Sequence, residues 1–326
     1  MVDRGLFYKE WKQHQAVLLV IFLLFFLSTP ISIISEYFTY QGCLSDHFYP
    51  KDCRFYLDYQ TGGSLQFFWA PAVLLAIVQV GLERSKGLLD FTLSLPYSRG
   101  QVFNTKFWMG SSIIVGAQLL GYMLSKLLIM LLNPGSVEFF DHFMVGSMII
   151  SFMAYALVMA AGALTGNIFA QLLTSFSVTI LPVLLVVLPA INLGIIIGSD
   201  HFWERYPIVD SPIFQYLIPI IYVNPSWVMD SKYILLIPAA MGVLFYLIGY
   251  VSFIKHPCER NGSFFLWKKL DRPIQILVII LGVLAFGYMG YSAGDSIIGY
   301  LLGMILGAVI GFLISYFAIY KKTKLL

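Results

Sequence analysis

Residues 16–27 read Ala-Val-Leu-Leu-Val-Ile-Phe-Leu-Leu-Phe-Phe-Leu, a run of apolar side chains that contains no charge. Such a run is stable in the hydrocarbon core of a bilayer. Basic residues precede it, as they precede the core of a secretory signal, but residues 30–35 contain no convincing small-x-small cleavage site. We therefore predict a retained first membrane span over residues 16–35.

The remaining sequence repeats this pattern. Hydrophobic residues make up 59% of the 326 residues and charged residues only 11%, whereas about a quarter of the residues in soluble domains are charged. Apolar runs of spanning or nearly spanning length lie at residues 16–35, 67–82, 108–132, 142–165, 171–198, 233–253, 273–291 and 297–319. The sequence therefore predicts an all-α fold, a polytopic transmembrane helical bundle of about eight spans that forms one domain over residues 1–326.

Basic residues are unevenly divided between the two sides of the predicted membrane. With the N-terminus inside, fifteen Lys and Arg residues fall on the inner side and four on the outer side. Cytoplasmic loops of membrane proteins carry the excess of Lys and Arg, so both termini are predicted to be cytoplasmic. The basic residues form no stripe of the kind that binds nucleic acid, and we expect no nucleic-acid partner.

Two long segments, residues 36–66 and 199–232, are predicted to be extracellular. Both are rich in aromatic residues, namely Tyr37, Tyr40, Phe48, Phe55, Tyr59, Phe202, Tyr206, Phe214 and Tyr222. Packing of these rings at the membrane interface and contact with a substrate are both compatible with the pattern. Cys43 and Cys53 lie in the first segment, on the oxidising side, where either a disulfide or two free thiols can exist.

The last predicted span carries a glycine at every fourth position, at Gly299, Gly303, Gly307 and Gly311. This spacing removes side chains from one face of the helix and lets another backbone approach closely. The stripe therefore predicts tight helix packing. The partner helix can belong to this chain or to a second subunit.

The sequence contains neither a Gly-x-x-x-x-Gly-Lys-Ser/Thr phosphate loop nor a His-Glu-x-x-His zinc motif. We therefore assign no catalytic, cofactor-binding or metal-binding residue and predict that the chain is not an enzyme. Lys126 is the only charged residue within an apolar run, and it lies roughly 27 Å above the inner surface when counted from Trp108. At that height its side chain can extend to the outer headgroups or take part in a pathway for anions or lipid headgroups.

Residues 83–107 form the predicted cytoplasmic segment between the second and third spans. It begins with charged residues and continues with a largely apolar stretch over residues 88–95. The spacing of the apolar residues fits a short helix in the membrane interface, and their alternation fits a strand equally well. We favour a helix ended by Pro96, because a lone strand would leave its backbone groups unpaired. Ser98 and Gln101 then form a capping-box pattern that predicts the start of the next helix.

The cytoplasmic segment contains the Glu83-Arg84 start, Gly87, the apolar stretch, Leu95-Pro96, Ser98-Arg99 and Lys106. Together these features resemble the signature of ABC-2 type permeases, which are membrane subunits of ABC transporters. Residues 1–15 are similar to the amphipathic elbow that precedes the first span in this family, with Phe7 and Trp11 on one helix face. Two elements of the family thus occur in the expected order.

In that family the segment is the coupling element that docks on the ATPase. The resemblance therefore implies an ATPase-docking surface made of Glu83, Arg84, Gly87, Leu88, Leu89, Phe91, Leu93, Leu95, Pro96, Ser98 and Arg99. The alternative is an amphipathic loop that only anchors this part of the chain to the membrane.

The resemblance also implies a function. The chain is expected to be the permease subunit of a bacterial ABC transporter in the plasma membrane. Its expected partners are a separate ATP-binding subunit that holds the ATP, a second identical or similar permease, and membrane lipid. Within the family it looks most like the Ytr-type permeases associated with acetoin utilisation, which suggests acetoin or a related small molecule as substrate. A membrane component for sensing or assembly and an ATP-independent carrier are the alternatives.

Overall fold

The computed structural model describes residues 4–45, 53–59, 65–198, 211–223, 232–255, 260 and 262–320. The helices are α1 (Arg4–Ser45), α2 (Leu65–Ala76), α3 (Glu83–Ser85), α4 (Leu88–Ser94), α5 (Arg99–Leu132), α6 (Phe140–Leu164), α7 (Ile168–Ile197), α8 (Pro212–Tyr216), α9 (Leu236–Lys255), α10 (Lys268–Ser292) and α11 (Ile297–Tyr320). A π-helical segment (Ile77–Leu82) follows α2, and 3-10 helices cover Pro219–Val223 and Lys232–Leu235. The strands β1 (Tyr56–Asp58) and β2 (Ser136–Glu138) pair in parallel. The predicted all-α fold class is confirmed.

Seven helices among the described residues are long and apolar enough to cross a membrane, and they coincide with seven of the eight predicted spans. The remaining predicted span, residues 67–82, is built differently. There α2 ends at Ala76 and the π-helical segment continues to Leu82. Gly81 lies in that segment, where a Cβ atom would collide with the side chain of Gln171 on α7. A π turn changes the helical repeat locally, and hydropathy does not register such a change.

The first helix is one continuous element that runs without a break from Arg4 to Ser45. It joins the described part of the predicted elbow to the first span and continues beyond that span. Its buried residues recur every third or fourth position from Leu6 through the span to Ile33, so one face packs along most of its length. At 1.5 Å per residue the helix is about 63 Å long, twice the thickness of the hydrocarbon core. It therefore continues well into the predicted extracellular segment.

The chain divides into two compact units, which we describe separately. The first comprises Met1–Val80, Phe91–Ala160 and Tyr222–Ile254. The second comprises Gly81–Asp90, Ala161–Ile221 and Lys255–Leu326.

In the first unit, α5 is held between α1 and α9. A Cβ atom at Gly121 of α5 would lie 2.7 Å from the carbonyl oxygen of Phe26 on α1, so only glycine allows this approach. On the α9 side, Phe107 is buried and its ring centroid lies 4.6 Å from that of Tyr246. The Tyr246 hydroxyl also donates a hydrogen bond of 2.9 Å to the side-chain oxygen of Asn104. Close backbone contact and aromatic packing together fix α5 in this unit.

A disulfide joins Cys43, near the end of α1, to Cys53, three residues before β1. Their Cα atoms lie 5.9 Å apart, within the ordinary range for a disulfide. The sequence allowed either a disulfide or two free thiols, and the structure contains the disulfide. The bond ties the C-terminal end of α1 to the parallel strand pair.

Aromatic residues of the first predicted extracellular segment pack against one another. The ring centroid of Phe55 lies 5.7 Å from that of Tyr37 and 5.6 Å from that of Tyr40. Tyr59 is buried against two phenylalanines of α6, and burial raises the pKa of its phenol to about 12. The rings of these four residues thus pack within the protein. Three of the other predicted aromatic residues lie outside the described residues, namely Phe48, Phe202 and Tyr206.

In the second unit, the glycine stripe of α11 packs against α10. Along the stripe, Gly299, Gly303, Gly307 and Gly311 face Gly290, Phe286, Gly282 and Ile279 of α10. A Cβ atom at Gly282 would lie 2.8 Å from the carbonyl oxygen of Gly307, so the contact is between the two backbones. The helix that packs on this stripe thus belongs to the same chain.

Candidate functional site

The cytoplasmic segment folds into two short helices joined by a glycine turn. Gly87 has a φ of +70°, which residues with a side chain rarely adopt, and it separates α3 from α4. α4 stops before Pro96. The Ser98 hydroxyl accepts a hydrogen bond of 3.3 Å from the Gln101 N–H, and the Gln101 side chain accepts one of 2.8 Å from the Ser98 N–H. The predictions of a helix in this segment and of a capping box at the start of α5 are confirmed.

α4 has one exposed side and one buried side. The exposed side consists of Leu88, Asp90, Phe91 and Ser94. Leu88 is 40% and Phe91 63% exposed, whereas Leu89 and Thr92 are fully buried on the opposite side. Of the other predicted docking residues, Gly87, Pro96 and Ser98 are exposed, and Leu93, Leu95 and Arg99 are half-buried. The helix is thus held by its inner side and presents a mixed apolar and polar side outward.

Glu83 and Arg84 require a correction, because both predicted docking side chains are buried and cannot contribute to an exposed surface. Arg84 Nη1 donates a hydrogen bond of 2.5 Å to the carbonyl oxygen of Gly162 and a second one to that of Thr165. These carbonyl groups lie at the C-terminal end of α6, where the helix cannot supply donors itself. Arg84 therefore caps α6 and anchors the start of the cytoplasmic segment.

A buried ion pair joins α1 to α5 in the first unit. The Nζ atom of Lys106 lies 2.6 Å from Oε2 of Glu10, and both side chains are completely buried. His14, one turn further along α1, places its Nε2 atom 3.8 Å from the same oxygen. Because removing a charge from water is costly, each of the two paired charges depends on its partner. The pair therefore holds the N-terminal half of α1 against α5.

Lys9 extends this contact to α4. Its Nζ atom donates hydrogen bonds of 2.9 Å to Oε1 of Glu10 and of 2.5 Å to the hydroxyl of Thr92. Lys106 is held from a further direction, because its backbone carbonyl accepts a hydrogen bond of 3.3 Å from the side chain of Gln79. A continuous chain of polar contacts thus runs from α4 through α1 to α5 and the π-helical segment.

Two proteins of Bacillus subtilis (strain 168) are similar to this sequence over its whole length, although no family model matches it. The Probable ABC transporter permease YtrC is 55% identical over 330 residues, and the Probable ABC transporter permease YtrD is 53% identical over 327 residues. Each alignment covers 100% of this chain and 100% of the relative. The chain belongs to the Ytr-type ABC transporter permeases.

Membership of this family confirms the predicted function of a membrane permease subunit. The permease is a multi-pass integral membrane protein, in agreement with its seven apolar helices among the described residues. Its relatives are named as permeases, which are transport components rather than enzymes. An ABC permease works together with an ATP-binding subunit, as the sequence resemblance implied.

The buried ion pair of this permease was not predicted from the sequence, in which Lys106 was counted among the basic residues of the inner side. A signal was nevertheless present. Leu6, Glu10, His14 and Leu18 recur at every fourth position of α1, and all four are buried. A carboxylate and an imidazole on such an apolar face indicate a buried polar contact. The partner could not be found in this way, because Lys106 lies 96 residues further along the chain.

Lys126 of the permease lies near the other end of α5 in an exposed ion pair. Its Nζ atom is 2.7 Å from Oδ1 of Asp141, and the two side chains are 47% and 66% exposed. The ammonium also lies 5.5 Å from the ring centroid of Tyr122 and 5.6 Å from that of Phe140. This position favours the interpretation that Lys126 extends to the outer surface.

Proposed function

We propose that this permease supplies half of a transmembrane pathway and is driven by an ATP-binding subunit that docks on the exposed side of α4. We call this side the docking face and define it as Leu88, Asp90, Phe91 and Ser94. The observation that carries the proposal is the 63% exposure of Phe91 on a helix that is held in place by its opposite side.

The composition of the docking face suits a protein partner. Leu88 and Phe91 are apolar and exposed, in a segment predicted to lie in the cytoplasm. Burying the part of these side chains that is still exposed against a partner is favourable by about 1–2 kcal/mol each. Asp90 and Ser94 provide a polar rim, and apolar anchors surrounded by polar contacts are typical of the residues that dominate protein interfaces.

In this proposal ATP is bound by the partner, because the permease sequence contains no phosphate-binding loop. The complete transporter contains a second permease, identical or similar to this one. Closure of the two ATP-binding subunits on ATP moves the docking helices and alternates the access of the pathway, as in other hinge-type closures. Acetoin stays a prediction from the family resemblance.

Replacing Phe91 by glutamate tests the docking face. Phe91→Glu puts a charge where the apolar anchor was, so we expect at least about a tenfold loss of the ATP-binding subunit that copurifies with a tagged permease. Phe169→Glu is the matched control, because Phe169 is also 63% exposed and lies near the start of α7 on the same predicted side. The two subunits are quantified after affinity purification from detergent-solubilised membranes.

The amount of permease in the membrane fraction separates docking from membrane anchoring. If α4 only anchors the chain, Phe91→Glu lowers the amount of permease in the membrane and leaves the ratio of the two copurified subunits unchanged. That unchanged ratio would contradict the proposal. Equal losses of the partner with Phe91→Glu and Phe169→Glu would contradict it as well.

A further inference from the structure

One side chain of α1 connects α4 to the transmembrane helices of the first unit. Lys9 lies between the Thr92 hydroxyl on the buried side of α4, at 2.5 Å, and Glu10 Oε1, at 2.9 Å. Lys9 and Thr92 are 83 residues apart in sequence, so this hydrogen bond joins two separate elements. We propose that Lys9 is a positioning residue that transmits movement of α4 to α1 and α5. The inference rests on the proposed docking of an ATP-binding subunit on α4.

The carboxylate of Glu10 makes the connection stiff. Its Oε1 atom accepts the hydrogen bond from Lys9, and its Oε2 atom accepts one of 2.6 Å from Lys106. Hydrogen bonds between charged groups are roughly twice as strong as those between neutral groups. Since Glu10 and Lys106 are completely buried, water cannot easily replace these contacts. A displacement of Thr92 therefore acts on α1 through Lys9 and on α5 through the buried pair.

Lys12 provides an internal comparison on the same helix. It is exposed, and its ammonium lies 5.8 Å from the ring centroid of Tyr8. Lys9, by contrast, is only 26% exposed and contacts a different helix. The two lysines carry the same charge close to each other in sequence, so a difference between their variants reports on the contact and not on the net charge.

The test compares binding with coupling in the complete complex. Lys9→Met removes the ammonium and keeps an unbranched side chain, and Thr92→Val removes the hydroxyl. Both variants should copurify with the ATP-binding subunit at the wild-type level, because neither residue belongs to the docking face. In liposomes, the rate of ATP hydrolysis by the complex is compared with the rate of the ATP-binding subunit alone, and the difference is the effect of the permease. In both variants we expect this effect to be about fivefold smaller than in the wild type. Lys12→Met should leave it at the wild-type level.

Two further variants distinguish a positioning role from a merely structural one. Thr92→Ser keeps the hydroxyl and should retain the wild-type effect on ATP hydrolysis. The double variant with Lys9→Met and Thr92→Val should lose no more than Lys9→Met alone, because Lys9→Met already breaks the hydrogen bond that Thr92→Val removes. If the fold-losses of the two single variants in the effect on ATP hydrolysis multiply in the double variant, the inference is wrong. So would a Lys9→Met complex that hydrolyses ATP at the rate of Lys12→Met, or one that no longer copurifies.

Failure of this inference and failure of the proposed function give different results. The docking face fails if Phe91→Glu leaves the complex intact. The role of Lys9 fails if Phe91→Glu disrupts the complex as expected while Lys9→Met and Thr92→Val leave ATP hydrolysis unchanged.

Discussion

Each end of α5 carries an ion pair. The distances between the charged atoms are nearly equal in the two pairs, but one pair is buried and the other is exposed. Lys106 and Glu10 are 2.6 Å apart and completely buried, whereas Lys126 and Asp141 are 2.7 Å apart and largely exposed. An exposed pair contributes about 0–1 kcal/mol, because water and salt screen it. Breaking a buried pair costs about 3–5 kcal/mol, because one charge is left without compensation. Burial, and not distance, therefore decides how much each lysine matters.

The largest effect is expected when the buried pair loses one partner. Lys106→Met leaves the buried Glu10 carboxylate with only the partly exposed Lys9 ammonium, at 2.9 Å, so the free energy of unfolding should fall toward the lower end of the range of about 3–5 kcal/mol. It can be measured by titrating the purified permease with SDS in mixed micelles. If the free energy of unfolding of Lys106→Met lies within about 1 kcal/mol of the wild-type value, burial does not make this pair more important for stability than the exposed pair.

Removing both partners of the buried pair should cost less than removing one. In the double variant with Glu10→Met and Lys106→Met no buried charge of this pair remains, and apolar replacement of such pairs is often neutral. Lys9 is partly exposed and can turn toward water. We expect most of the stability lost in Lys106→Met to return in the same SDS titration. If the double variant is less stable than Lys106→Met, the cost arises from packing instead of from the uncompensated charge.

The smallest effect is expected at the outer end of α5. Lys126→Met should change the free energy of unfolding by less than about 1 kcal/mol. The difference from the wild type should shrink further between 0.1 M and 1 M salt, because the screening length falls from about 10 Å to about 3 Å. Unfolding titrations at the two salt concentrations measure this. A loss as large as that of Lys106→Met would assign Lys126 a structural role that its exposure does not explain.

Features set by neighbouring residues could be predicted from the sequence. The helix of α4, its end before Pro96 and the capping box at Ser98 follow from patterns that span only a few residues, and the structure contains all three. The membrane spans follow in the same way from runs of apolar residues. Local hydrogen bonding and hydrophobicity are sufficient to specify such elements.

Features that depend on distant residues could not be predicted in this way. Arg84 has the appearance of a surface residue in a charged turn, but its acceptors are the carbonyl groups of Gly162 and Thr165 at the end of another helix. Lys126 is conspicuous in the hydropathy pattern because this residue interrupts an apolar run. Lys106 is not conspicuous there, because it precedes the third predicted span. Tertiary packing decides which of these charges is buried, and local sequence patterns do not reveal which distant residues pack together.

The continuity of α1 has a mechanical consequence. Lys9 and Cys43 lie near opposite ends of this single helix, and Pro30 lies inside it without ending it. At 1.5 Å per residue they are separated by about 51 Å. This is more than the thickness of the hydrocarbon core, about 30 Å, so the two ends of the helix lie on opposite sides of the membrane. A rotation of about 5° around its midpoint moves each end by about 2 Å in opposite directions. A rigid rotation of α1 that displaces the end with Lys9 would therefore also displace the end that the Cys43–Cys53 disulfide joins to the strand pair.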